Sequence, residues 1–220
     1  MYEELYINAL KSKCDISTCI LSYKKNDKII NPFKDKCDIS QVTSSLQLLN
    51  KIYDYDYTNS LCICVCTKIF KKHIFNKIRF EDGIYEDDEI SPRILINNYK
   101  ISIDTKPMYV YVQNIKSTTN KPFSKKNLIF LNILIEREKL FNNAGLYELE
   151  QKTVKLYFDI LIEYYIKSLE LGLSCNMIYY LNYSKRNVSK VIFNRSISIK
   201  SKLRYILFLF SPKLYMKIIN

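Results

Sequence analysis

The order of periodic segments predicts a mixed α/β unit followed by a mostly helical region. Short apolar runs with strand character alternate with helix-patterned segments up to about residue 117. A polar stretch of Lys, Ser, Thr, Asn and Pro follows at 115–124, the clearest linker in the chain. Beyond it the apolar spacing becomes helical over long segments that end at Gly145 and Gly172.

Taken in order, residues 2–12 have helical spacing, with Leu5, Ile7, Ala9 and Leu10 as apolar positions. Residues 16–23 and 28–31 read as strands around a hairpin turn at 24–27. Asp38 can cap a helix running to about Tyr53. Residues 61–67 form a continuous apolar run of the kind found in buried strands. A helix is expected over 86–98, with Pro92 limiting or kinking it, then strands at 100–104 and 108–113. Residues 127–143 and 148–171 read as two helices of an antiparallel hairpin, their apolar stripe packed as core against the first domain.

Composition sets bounds. The 220 residues are 48% hydrophobic with only 3 Gly and 5 Pro, enough to build a core and unlike a disordered chain. The net charge of +12 owes something to codon bias, since Lys, Ile, Asn and Tyr are all abundant. No basic-plus-apolar leader opens the sequence, and no apolar run approaches the roughly 20 residues that span a bilayer. A cytoplasmic location is therefore expected, with peripheral attachment to the inner face of the cell membrane as an option.

The 7 cysteines form no disulfide framework. Cys62, Cys64 and Cys66 would put three thiols on one face of a strand, a spacing unlike a zinc knuckle and better explained as small buried apolar groups. His73, the single histidine, sits in a Lys-rich short helix and reads as a surface residue.

The segment Glu81-Asp82-Gly83-Ile84-Tyr85-Glu86-Asp87-Asp88-Glu89 concentrates six carboxylates in nine residues of a basic protein. Like charges this close raise one another's pKa values. Gly83 can supply a turn, after which Glu86, Asp87 and Asp88 fall in a first helical turn, where the helix dipole favours acids. Dipole capping and acid–base chemistry both fit this cluster.

Its surroundings carry a resemblance. Thr67-Lys68-Ile69-Phe70-Lys71, then Ile78-Arg79-Phe80, Tyr85-Glu86-Asp87 and Ile103-Asp104-Thr105-Lys106-Pro107-Met108-Tyr109-Val110-Tyr111 occur in that order and at close spacing. The run resembles the second half of bacterial family 2 glycosyltransferases that decorate cell-surface polysaccharides. Met1-Tyr2-Glu3-Glu4-Leu5-Tyr6 resembles the helix that follows the family's metal-binding D-x-D. The resemblance implies a partial GT-A fold, Rossmann-related, with a mixed sheet and flanking helices over residues 1–117. The family's nucleotide-binding half, which precedes this region, has no counterpart here. A truncated or split polypeptide, inactive alone and completed by an upstream half or oligomer partner, is the expectation.

The chemistry implied is inverting sugar transfer from a nucleoside-diphosphate sugar to a saccharide acceptor. By motif position Asp87 would be the catalytic base, with Glu86 and Asp88 binding or orienting the acceptor. A complete family member would also need a divalent metal, Mg or Mn, on its D-x-D. Asp54-Tyr55-Asp56 spells that motif in the wrong place, so no metal is assigned here. Where the family often has Arg-x-Arg after the Tyr-x-Tyr strand, this chain has Val112-Gln113-Asn114, which lacks the guanidiniums that would bind phosphate.

From residue 171 to 220 there are nine Lys or Arg and no acid. Residues 199–210 join Lys200, Lys202 and Arg204 to the apolar block Tyr205-Ile206-Leu207-Phe208-Leu209-Phe210. This pattern fits a helix packed on the core or one lying on an anionic membrane surface. Nucleic acid is disfavoured, because aromatic residues mixed with long aliphatics make no polar reading surface. A non-catalytic interaction or membrane-surface module on the same scaffold is the alternative to an enzyme.

Overall fold

A computed structural model describes residues 1–25, 28–31, 42–54, 58–112 and 121–219. The chain is mixed α/β and divides into two compact units, Met1–Pro122 and Phe123–Asn220.

The first unit is organised by β1 (Ile16–Lys25). One edge of β1 pairs in parallel with β5 (Lys100–Val112), and β3 (Val42–Ser44) adds antiparallel to β5. The other edge of β1 takes β4 (Lys68–Phe70) near its start and β2 (Lys28–Ile30) near its end, both antiparallel. Every residue from 16 to 22 is buried, so both faces of β1 are covered. Its buried hydroxyls are satisfied across the sheet: Ser102 Oγ donates to Ser17 Oγ at 2.9 Å, and Thr18 Oγ1 donates to the Thr67 carbonyl at 3.4 Å.

Helix α1 (Tyr2–Ser12) runs where its spacing predicts, but of its apolar positions only Leu5 is fully buried, while Ile7 and Leu10 face solvent. It ends at Lys13 in the left-handed conformation. There the Cys14 N–H reaches the Ala9 carbonyl and the Lys13 N–H the Leu10 carbonyl, a Schellman termination.

Four expectations change. The helix expected from Asp38, which lies outside the described residues, is instead α2 (Ser45–Leu49), extended by a 3₁₀ turn over Asn50–Tyr53. Its start is fixed by Ser44, whose hydroxyl accepts from the Gln47 N–H while the Gln47 side chain accepts from the Ser44 N–H. The strand expected at 61–67 is replaced by α3 (Thr58–Ile63) and a 3₁₀ turn over Val65–Thr67. A short apolar run reads alike in both periods. The β1–β4 ladder stops at Lys68 because Thr67 turns away, its hydroxyl donating to the Cys64 carbonyl at 2.9 Å. The three thiols consequently do not share a strand face. Cys62 is buried in α3 and bonds the Leu48 carbonyl, whereas Cys64 and Cys66 are half-buried.

The two strands expected at 100–104 and 108–113 are one element, β5. Opposite Cys19–Leu21 it accommodates Thr105, Lys106 and Met108 as extra residues, so Cys19 faces Asp104, Ile20 faces Pro107 and Leu21 faces Tyr109. Helix α4 (Glu86–Leu95) contains Pro92, which has no N–H to offer the Asp88 carbonyl, and ends three residues short of the expected 98. The turn at 26–27, Tyr55, Asp56 and most of the 115–124 linker lie outside the described residues.

The second unit is helical. Helices α5 (Ile129–Asn143) and α6 (Tyr147–Glu170) form the expected hairpin. Both end in Schellman motifs at glycines of positive φ, Gly145 at 72° and Gly172 at 67°. Their apolar stripe closes on this unit's own later helices, α7 (Ile178–Arg186), α8 (Val188–Ile192), α9 (Ile199–Phe210) and α10 (Pro212–Ile219). Phe158 stacks on Tyr205 with ring centroids 5.3 Å apart, and Phe208 meets Tyr165 edge-on at 5.2 Å. Asp159 adds a polar clamp on α9, accepting from Tyr205 Oη at 2.7 Å and pairing with Arg204.

Phe208 is fully buried between Tyr165 and Tyr215. Phe208→Ala should destabilise the second unit by about 3–5 kcal/mol, because a cavity of that size relaxes only in part. Urea unfolding followed by circular dichroism measures it, and a cost below about 1 kcal/mol would mean that α9 is not docked as described.

Candidate active site

The acid cluster does not act as one body. Glu89 Oε1 accepts from Arg93 at 2.6 Å, and Glu81 approaches the same guanidinium at 3.7 Å. Glu86 is exposed at the start of α4. Asp87 alone of these turns towards the preceding segment, its Oδ2 accepting from the Val65 N–H at 3.3 Å. Asp88, beside it in the same turn, is half-buried. The turn is entered through Tyr85, whose φ of 68° is left-handed. That conformation costs a non-glycine residue about 1 kcal/mol or more, and it sets the direction in which Glu86 and Asp87 leave the helix start. Gly83 marks only the bend before it. Ser91 Oγ donates to the Ile63 carbonyl at 2.8 Å and ties α4 to the end of α3.

Burial, and then the charges of Glu86 and Asp88, hold the Asp87 carboxyl above its ordinary range, against the opposing pull of the Val65 N–H and the Lys68 ammonium. Lys68 is only 6% exposed, and burial lowers the proton affinity of its amine even though Asp87 lies close enough to oppose that shift. Its Nζ donates to the Cys64 carbonyl, the acceptor that Thr67 also uses. The Cys66 thiol is hydrogen-bonded to the Tyr109 hydroxyl from β5. Burial pushes the Cys64 thiol up to about 11. The Val65–Asp87 bond thus joins the start of α4 to the 64–68 turn, and the Cys66–Tyr109 bond joins that turn to β5.

This arrangement can hold a proton. A carboxylate whose proton affinity is raised by burial, and which is partly open to solvent, is a candidate general base. Among the described residues no three His, Cys, Asp or Glu side chains are grouped to hold an ion. Asp54 is engaged elsewhere, pairing with Lys51 at 3.2 Å and accepting from Thr58 Oγ1. His73 is exposed against Tyr99, as its setting predicts.

Lys68 and Tyr109 had no role assigned from the sequence, although both lie in the motifs quoted above. The available signal was a lysine placed directly between two apolar stretches. The left-handed Tyr85 left no such signal. No protein-family model matches the chain, and comparison with curated proteins finds no significant match.

Two measurements follow from the proton affinities. The folded state binds the Asp87 proton more tightly than the unfolded chain, whose value is near 3.8, so ionising it costs stability as pH rises through the window above 3.8. Asp87→Asn keeps an acceptor for Val65 and removes that cost. The variant should be more stable than the parent at neutral pH, with the gap closing in acid. Urea titrations across pH test this, and a less stable variant at neutral pH would show that the carboxylate is held mainly as a cap. In a separate experiment, native alkylation at pH 8 should label the exposed Cys175 while sparing Cys62 and Cys64. Rapid labelling of Cys64 in peptide maps would contradict its burial.

Proposed function

We propose that the first unit is the acceptor side of a GT-A-type glycosyltransferase, with Asp87 as the base of an inverting sugar transfer. One observation carries this reading. Asp87 of one motif of the resemblance accepts from the Val65 N–H in the turn that leads into another, the Thr67–Lys71 motif, whose buried Lys68 acts electrostatically on the same carboxyl. The mixed sheet, with a parallel β1–β5 pair and antiparallel β4, is also compatible with part of a GT-A domain.

In the step itself, the acceptor hydroxyl gives its proton to the Asp87 carboxylate as its oxygen attacks the anomeric carbon. The bond from that carbon to the nucleoside diphosphate breaks, and the electron pair leaves with the diphosphate. Glu86, exposed at the same helix start, and Asp88 offer acceptors for neighbouring sugar hydroxyls. Lys68 opposes the rise in Asp87 proton affinity that burial causes. By the resemblance, the metal and the nucleotide would be held by a nucleotide-binding half in cis or in trans; among the described residues no three His, Cys, Asp or Glu side chains are grouped to hold an ion.

The test is a transfer assay with the chain joined to, or mixed with, such a half. Asp87→Asn should slow transfer by about 10²–10⁴-fold with the circular dichroism spectrum unchanged, since Asn keeps the shape but takes no proton. Equal rates for variant and parent would remove Asp87 from the chemistry and leave the cluster as a helix start.

A further inference from the structure

Helix α9 has two apolar faces, and the fold uses one. Tyr205, Phe208 and Leu209 are buried in the second unit. Ile199, Leu203, Ile206 and Phe210 lie within an arc of roughly 60° on the other side, at helical spacing. Ile199 is 78%, Leu203 63% and Phe210 85% exposed. Lys202 Nζ donates to the Ile192 carbonyl at 2.7 Å and so fixes the Ile192–Phe193 corner beside this stripe, with Phe193 itself 78% exposed. Helix α10 continues the pattern with Leu214 and Ile218 outward.

We infer that this face of the second unit docks on a membrane surface rich in anionic lipid. Charge selects the occupant. The last fifty residues of the sequence carry nine Lys or Arg and no Asp or Glu. Lys200 and Lys202 flank the stripe on its two sides, and Lys213 and Lys217 are exposed on α10. An apolar stripe flanked by Lys200 and Lys202 complements anionic headgroups above acyl chains, whereas a second copy of this face would bring like charges together. Length fixes the mode of contact. No helix among the described residues is long and apolar enough to cross a membrane, and the 12 residues of α9 reach about 18 Å against a hydrocarbon core of about 30 Å. Helix α9 would therefore lie in the interfacial plane, with Phe210, Leu203 and Phe193 entering the acyl boundary. The inference stands on the second unit and does not depend on sugar transfer.

Sedimentation of the intact chain with vesicles tests it, using phosphatidylcholine alone or with phosphatidylglycerol. Binding should require the anionic lipid and weaken as salt is raised. Leu203→Glu with Phe210→Glu, both at exposed positions, should lower partitioning by at least about tenfold without changing the urea midpoint. Lys200→Glu with Lys213→Glu provides a second variant that spares the apolar groups and should also weaken binding. Absence of binding to anionic vesicles would overturn the inference, as would full binding by the Leu203/Phe210 variant. So would a stripe that instead holds a dimer, seen as a dimer-to-monomer change in that variant by light scattering with vesicle binding intact.

Discussion

Strand β1 is hydrogen-bonded along both edges and buried on both faces, and the first unit is arranged around that double commitment. A parallel partner cannot be reached by a tight turn, so β5 has to return after a long excursion. That excursion contains α2, α3, β4 and α4, and with them the acid cluster. Because β4 pairs with only Ile16–Thr18, the chain just before it is free to turn. The 64–68 turn is the consequence, and it supplies both the Val65 N–H and the buried Lys68 that meet Asp87.

The electrostatics of the site follow from unequal burial. Six carboxylates in nine residues would repel if they shared one environment, and the fold separates them. Arg93 draws in Glu81 and Glu89, water takes Glu86, and Asp87 faces inward towards Val65 and Lys68. Burial raises the proton affinity of Asp87, which suits it to accept a proton. The left-handed Tyr85 before it is the type of local strain that a fold retains where side-chain direction matters.

In the second unit the aromatic contacts and the Asp159 clamp hold α9 by its inner face. Dispersion and burial there are sufficient to fix the helix without its outer stripe, which leaves that stripe available to a partner. The glycine terminations at 145 and 172 make the hairpin compact enough for α7–α10 to close over it.

The amino-acid sequence sets those features whose cause is local. The periods of α1, α5 and α6, the strand character of β1 and β2, the two glycine stops and the acidic first turn of α4 all follow from neighbouring residues and were read without coordinates. The apolar run at 61–67 was misread because short buried helices and strands share one hydrophobic pattern; the Thr67–Cys64 bond and the limits of the β1 edge decide between them. Likewise 105–107 looked like a break between strands, since tolerance of extra residues depends on what β1 presents opposite them. The place of Asp87 in the acidic first turn of α4 is legible in the sequence. Its hydrogen bond from the Val65 N–H is not, for that contact joins segments about twenty residues apart and exists only once the sheet has placed them. The two faces of α9 were visible as one apolar, basic segment, but which face is buried depends on Phe158, Tyr165 and Asp159 of another helix, contacts that no local pattern encodes.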